Sequence, residues 1–254
     1  MKPRSLARNR LRRLGWLRFL LQLASVALVF VGVSVAVPFL FMAASGIEPG
    51  AYRPGNPDML ASAVLSMGCA LLVARAWLAS DGCLQQAWNI RPPVNLGRTL
   101  GLAALGTGGI IALFALGALA IEALGLPRVD ISLVTDLATA GPLAFMAWIV
   151  LIAWLTAGLG EELLYRGFLM DRLMRLRGMR GRRWPAAIIQ AMLFGLPHLY
   201  QGWGGVMVTA TIGLFLAWLR FANRGNLWAC ILAHAAVDTI MLSLAYGQSL
   251  GWLT

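Results

Sequence analysis

The chain has 254 residues, of which 59% are hydrophobic and only 12% charged, and its formal net charge is +11. A soluble domain carries about a quarter charged residues, so this composition excludes a single aqueous globule and places the chain in a lipid bilayer. No water reaches the hydrocarbon to satisfy the backbone, so the fold class is all-α, a polytopic membrane protein built of transmembrane helices.

Residues 1–15 form a basic tail with Lys2, Arg4, Arg8, Arg10, Arg12 and Arg13. The first apolar run, about 16–44, exceeds the roughly 7–15 residues of a signal-peptide core, so an uncleaved first helix is expected. The Pro/Gly-rich segment 45–59 reads as a loop. Apolar runs at about 60–79 and 98–124 flank the segment 80–97, where Arg91-Pro92-Pro93 makes a stiff break. The Gly- and Ala-rich stretch 100–123 suits close helix contact. These first three runs hold little polar material and read as scaffold.

Four further runs follow, at about 142–164, 185–199, 203–221 and 227–246, which predicts about seven transmembrane helices. All the polar motifs fall in the last four, so the motif-bearing core is about 142–246 of a single transmembrane domain, 16–254.

Arginines crowd alternate joints: the N-terminus, the joint after the second run (Arg75, Arg91, Arg98), the joint after the fourth (Arg172 to Arg183) and the last (Arg220, Arg224). The intervening joints hold Arg53 and Arg128 beside Glu48, Asp58, Asp130 and Asp136. This is the positive-inside pattern, which sets the N-terminus in the cytoplasm. The same spread argues against nucleic acid as a partner, whereas the lipid bilayer, including anionic headgroups, fits it. Cys69, Cys83 and Cys230 are scattered and odd in number, so they imply no disulfide framework. One lysine against twenty arginines points to GC-rich codons and thus to a bacterial inner (plasma) membrane.

Ionisable residues inside spans are functional candidates by default. Glu161 and Glu162 end the fourth run, and both histidines of the chain, His198 and His234, lie in later ones. Glu162 and Arg166 stand four apart in the order that suits a helix ion pair. Adjacent helical residues point about 100° apart, so Glu161 is expected to face elsewhere, with Tyr165 one turn on as its hydrogen-bond partner. Phe194 shares a face with His198, and Pro197 is expected to open the helix between them. His234 and Asp238 are again one turn apart, which suggests an aspartate orienting a histidine. Cys230, one turn earlier, reads as a small packing residue more readily than as a nucleophile.

Glu161 to Arg166 matches the pattern EExxxR, Phe194 to His198 matches FxxxH, and His234 to Asp238 matches HxxxN with Asp in the last place. In order and helix setting these motifs resemble the CPBP family, the CAAX-protease and bacteriocin-processing membrane proteins that include the Ras-converting prenyl endopeptidases. The resemblance implies an intramembrane endopeptidase of glutamic type without a cofactor, acting on a peptide or membrane-protein substrate. It implies that Glu161 activates a water with the help of His198. His234 and Asp238 would steady the oxyanion, while Glu162, Arg166, Tyr165 and Phe194 support them. An ionised aspartate repels an oxyanion to which an asparagine amide would donate, so Asp238 is expected to orient His234 instead.

Three other readings use the same residues. One is a metal-dependent membrane hydrolase with zinc held by Glu161, His198, His234 and Asp238. A second is a non-catalytic membrane scaffold or immunity protein. A third, a proton-coupled transporter, lacks the inverted repeat that would support it. Counted along the helices, His198 lies about 22 Å from Arg183, and His234 about 12 Å from Asn226. The two imidazoles are therefore expected at different depths unless the fifth helix tilts or starts late, with a cavity opening to the cytoplasm.

Overall fold

The computed structural model describes residues 13–253, so Lys2, Arg4, Arg8, Arg10 and Arg12 of the expected tail lie outside the described residues. Helix α1 (Trp16–Ser45) and α2 (Asn56–Ser80) are followed by a single turn, α3 (Leu84–Ala87), then α4 (Leu96–Ala123) and the short α5 (Ser132–Ala138). Pro142 opens α6 (Pro142–Ala147), which runs into a π-helical stretch, Trp148–Leu169, and on into α7 (Met170–Arg175). After them come α8 (Arg183–Gly195), a 3-10 segment (Leu196–Gln201), α9 (Gly202–Ala222) and α10 (Trp228–Ser249).

Among the described residues six helical stretches are long and apolar enough to cross a bilayer, so the chain is an all-α polytopic membrane protein. Six stretches stand where about seven runs were expected, because the fifth and sixth runs fall in one continuous stretch, Arg183–Ala222, that folds back on itself. Helix α8 has only 13 residues, about 20 Å at 1.5 Å each, which is short of a span on its own. Pro197 ends regular α-helix as expected, and the chain continues as the 3-10 turn. Gly202, at φ 83°, then reverses it, a left-handed conformation that only glycine adopts readily. The Arg183 guanidinium stacks near the Phe221 ring, Gln190 bonds the Gly213 carbonyl, and Gly195 lies against Val206. These pairs run in opposite directions along the sequence, so α8 and α9 form an antiparallel hairpin.

Helix α1 lies at the periphery against α2, which packs on the Pro142–Arg175 helix. From there a ring closes: that helix contacts α10, α10 contacts α4, α4 contacts α9, α9 contacts α8, and α8 returns to the first. Small residues allow these approaches, as expected for the Gly-rich α4, where Gly106 abuts Ala233 and Gly117 abuts Val208.

The arginine-bearing joints gather at one end of the bundle. There Asp81 accepts from Arg18 and Arg172 at 2.7 Å each and from Gln22 at 3.1 Å. Asp171 accepts from Arg172 and, at 2.8 Å, from Arg175. The acid-bearing joints meet at the other end, where Asp58 bonds Tyr52 and Asp130 bonds the Gln201 carbonyl through its backbone N–H.

The hairpin gives a direct packing prediction. A Cβ on Gly195 would meet the Val206 carbonyl oxygen at 2.6 Å and the Ala210 Cβ at 3.0 Å, whereas one on Gly108 would meet nothing within 4 Å. Gly195→Ala should therefore cost about 1–3 kcal/mol through overpacking. Gly108→Ala should be neutral or stabilising by up to about 1 kcal/mol. Thermal unfolding of the two variants in detergent distinguishes them.

Candidate active site

The Pro142–Arg175 helix carries both glutamates, and its middle is wound with i→i+5 hydrogen bonds, seen where Met170 N–H donates to the Tyr165 carbonyl. Such a helix is wider than an α-helix and turns less per residue, and π-helical geometry is concentrated at functional sites. The observed relation of the glutamates differs from the expected one. Instead of facing different neighbours, both flank one imidazole. Glu162 Oε1 lies 2.9 Å from His234 Nδ1. Glu161 Oε2 lies 3.9 Å from His234 Nε2.

Glu162 also makes its expected bond to Arg166, at 2.9 Å. Neither side chain of that pair has any exposed surface. One buried carboxylate oxygen therefore accepts from Arg166 on its own helix and from His234 on α10. The Arg166 guanidinium donates onward to the Gly213 carbonyl of α9 at 3.2 Å and sits 4.1 Å over the Phe194 ring of α8. Gln190 donates to the same carbonyl at 2.9 Å. Buried charge persists only when paired and hydrogen-bonded, and these contacts supply the partners from four elements.

The orientation of His234 therefore comes from Glu162, not from Asp238 as expected. The Asp238 carboxylate lies 3.8 Å from Nε2, beyond hydrogen-bond reach. It stands on the same edge of the ring as Glu161. Both of these carboxylates are accessible, with side chains 21% and 32% exposed, against 13% for His234. Tyr165 makes no hydrogen bond to Glu161 among the described residues. Its ring packs edge-on against Phe194, centroids 5.0 Å apart.

His198 sits in the 3-10 segment, one turn beyond Phe194. Its Nδ1 bonds the Phe194 carbonyl at 3.1 Å. A carbonyl only accepts, so in the neutral ring Nδ1 carries the proton and Nε2 keeps its lone pair. Among the described residues no carboxylate comes within 4.0 Å of this ring, whose neighbours are Phe194 (5.4 Å) and Tyr200 (6.2 Å). Phe194 also touches His234, centroids 6.1 Å apart, and so spaces the two imidazoles. Helix α8 starts at Arg183 without delay, and both imidazoles pack near the same Phe194 ring.

Cys230 is fully buried, with its thiol directed at the Leu216 carbonyl, consistent with packing. Among the described residues no three His, Cys, Asp or Glu side chains are arranged to share a metal ion. Two contributors were missed at the level of sequence, Gln190 and the Gly213 carbonyl. Gln190 had a signal, as the one polar side chain between Ala186 and Phe194, but a backbone carbonyl has none.

Residues 143–240 match the family model described as Rce1-like, type II CAAX prenyl endopeptidase Rce1-like. That stretch includes every residue of the cluster. No curated protein and no solved structure matches the chain.

Removing one partner of the sealed pair leaves the other charge uncompensated. Arg166→Ala should lose about 3–5 kcal/mol of stability. The double variant Glu162→Gln, Arg166→Met should recover much of it, since the Gln carbonyl still accepts from His234 and no charge remains. Melting temperatures of the detergent-purified variants provide the comparison.

Proposed function

We propose that this chain, which through residues 143–240 belongs to the Rce1-like family, is an intramembrane endopeptidase that hydrolyses a peptide bond with a water activated by Glu161. The observation that carries the reading is the division of labour between adjacent carboxylates. Glu162 is sealed and committed to Arg166 and His234, whereas Glu161 is accessible, makes no hydrogen bond among the described residues, and stands beside His234 Nε2.

Amide hydrolysis needs a base, a positioned water and donors for the developing oxyanion. Glu161 takes one proton as the water oxygen attacks the carbonyl carbon, and the carbonyl electron pair moves to oxygen. His198, with Nδ1–H held by the Phe194 carbonyl, presents a free Nε2 lone pair that accepts the water's other hydrogen. His234 donates Nδ1–H to Glu162, and in its protonated form offers Nε2–H to the oxyanion on the accessible edge. Collapse of the intermediate breaks the C–N bond, and the proton held by Glu161 passes to the leaving amine. The surrounding apolar helices exclude bulk water, which makes each of these placed groups count for more.

Asp238 lies where a donor to the oxyanion belongs, beside Nε2 and not behind it. Its charge opposes the intermediate, so the position tolerates an amide. The substrate class that fits a cluster midway along the helices is a peptide segment or membrane-anchored tail that itself enters the bilayer.

Glu161→Gln should leave the melting temperature within a few degrees of wild type and lower cleavage by about 10²–10⁴-fold, the usual contribution of a general base. The readout is mass spectrometry of peptide termini from membranes carrying wild type or variant. In the same assay Asp238→Asn should keep or raise activity. Cleavage by the purified protein should also survive a strong chelator, and its loss there, with recovery on adding zinc, would favour the metal-dependent reading.

A further inference from the structure

The arginine-rich end contains a cavity of about 650 Å³ that plays no part in the proposed hydrolysis. It lies between the end of α7, the start of α8 and the end of α9, and none of Glu161, His198, His234 or Asp238 lines it. Four of its lining residues are cations: Arg175, Arg183, Arg220 and Arg224. Asp171 is the one carboxylate among them, and it is already engaged by Arg172 and Arg175. Arg175 is further held by Gln86 at 2.7 Å.

The other three arginines are not neutralised. Arg220 is only 4% exposed, and it spends one amino group on the Ala87 carbonyl at 3.3 Å. Its Nη1 has no partner among the described residues. A buried guanidinium left one donor short is costly unless a ligand supplies the acceptor. Arg183 and Arg224 form no ion pair among the described residues. The start of α8 adds to the field. It has no side-chain cap and no acidic residue in its first turn, so its free N–H groups and dipole also favour an anion.

We propose that this cavity binds a phosphate group, supplied by the headgroup of an anionic phospholipid. The shared chemistry is a phosphate oxyanion received by Arg183, Arg220 and Arg224, a geometry that planar guanidinium groups recognise well. The lipid source follows from position. The cavity sits at the ends of the spanning helices, where headgroups lie. Trp184, which packs edge-on against the lining residue Phe221, is 53% exposed, and Trp is enriched at membrane–water interfaces. The inference does not depend on the peptidase reading, because binding here is measured without any substrate.

Two substitutions probe the site while avoiding the buried Arg220. Arg224 is exposed and is the only non-glycine described residue with positive φ, 54°. Arg224→Gly therefore removes a charge while relieving a strained backbone. Arg183→Gln removes a second charge at the helix start. Delipidated full-length protein in neutral detergent is titrated with phosphatidylglycerol, phosphatidylcholine or inorganic phosphate, and binding is read by native mass spectrometry and by the shift in melting temperature.

Phosphatidylglycerol should bind more tightly than phosphatidylcholine. Each substitution should weaken it about fivefold, since a basic residue near an anionic surface is worth about 1 kcal/mol. Unliganded Arg224→Gly should melt no lower than wild type. Binding of inorganic phosphate alone, with phosphatidylglycerol inert, would keep the anion site and overturn its assignment to lipid. Equal binding of the two lipids, or no change in the Arg183→Gln, Arg224→Gly double variant, would overturn the proposal.

Discussion

The arrangement depends on one sealed carboxylate. Glu162 has no exposed surface, and its Oε1 receives a proton donor from its own helix and another from α10. In hydrocarbon an unmatched charge of this kind would be neutralised or the helix displaced. The fold retains it by bringing Arg166 and His234 to it, and by giving Arg166 a carbonyl on α9 and an aromatic face on α8. Four elements of the ring are thereby held in register by polar contacts at one level. Slippage of any of them along its axis would break these bonds, so the apolar packing and the polar cluster specify the same alignment.

Much of this was legible in the sequence where the signal is local. The apolar runs locate the spanning helices, with α1 observed at Trp16–Ser45 against about 16–44 expected, and the Glu162–Arg166 spacing identifies the ion pair. The alternation of arginine-rich and acid-bearing joints anticipates which loops meet at each end. What the sequence hides is non-local or depends on winding. Nothing in a one-dimensional pattern links Glu162 to His234, 72 positions away. Nor does apolar periodicity distinguish an α-helix from the wider Trp148–Leu169 stretch. In the sequence the joint arginines read as markers of topology and as partners of lipid headgroups. Arg18, Arg172 and Arg175 also make specific pairs with Asp81 and Asp171, which the loop composition did not reveal.

The hairpin explains why the two histidines are not equivalent. His234 lies within a continuous helix and is gripped at Nδ1 by a carboxylate. His198 lies past the end of α8, where Pro197 and the 3-10 turn set the backbone, and is gripped at Nδ1 by a carbonyl. A carboxylate partner stabilises a positively charged ring, whereas a neutral carbonyl does so far less. Under the proposed mechanism this difference suits one imidazole to donate from Nε2 and the other to accept there. Local structure, and not residue type, separates the two rings.

Phe194 joins these features. Its ring carries the Arg166 guanidinium on one side and meets Tyr165, His198 and His234 around its edge. An unscreened arginine so near Glu161 would form a second ion pair and leave that carboxylate a poor base. The aromatic face holds the cation without offering an anion, and the two bonds of Arg166 to Glu162 and Gly213 fix its direction. Glu161 is left beside an imidazole edge and partly exposed, one residue from a carboxylate with no exposed surface. Two chemically identical neighbours thus stand in different surroundings, one paired with an arginine that is stacked on an aromatic ring and the other left without an ion pair to that arginine.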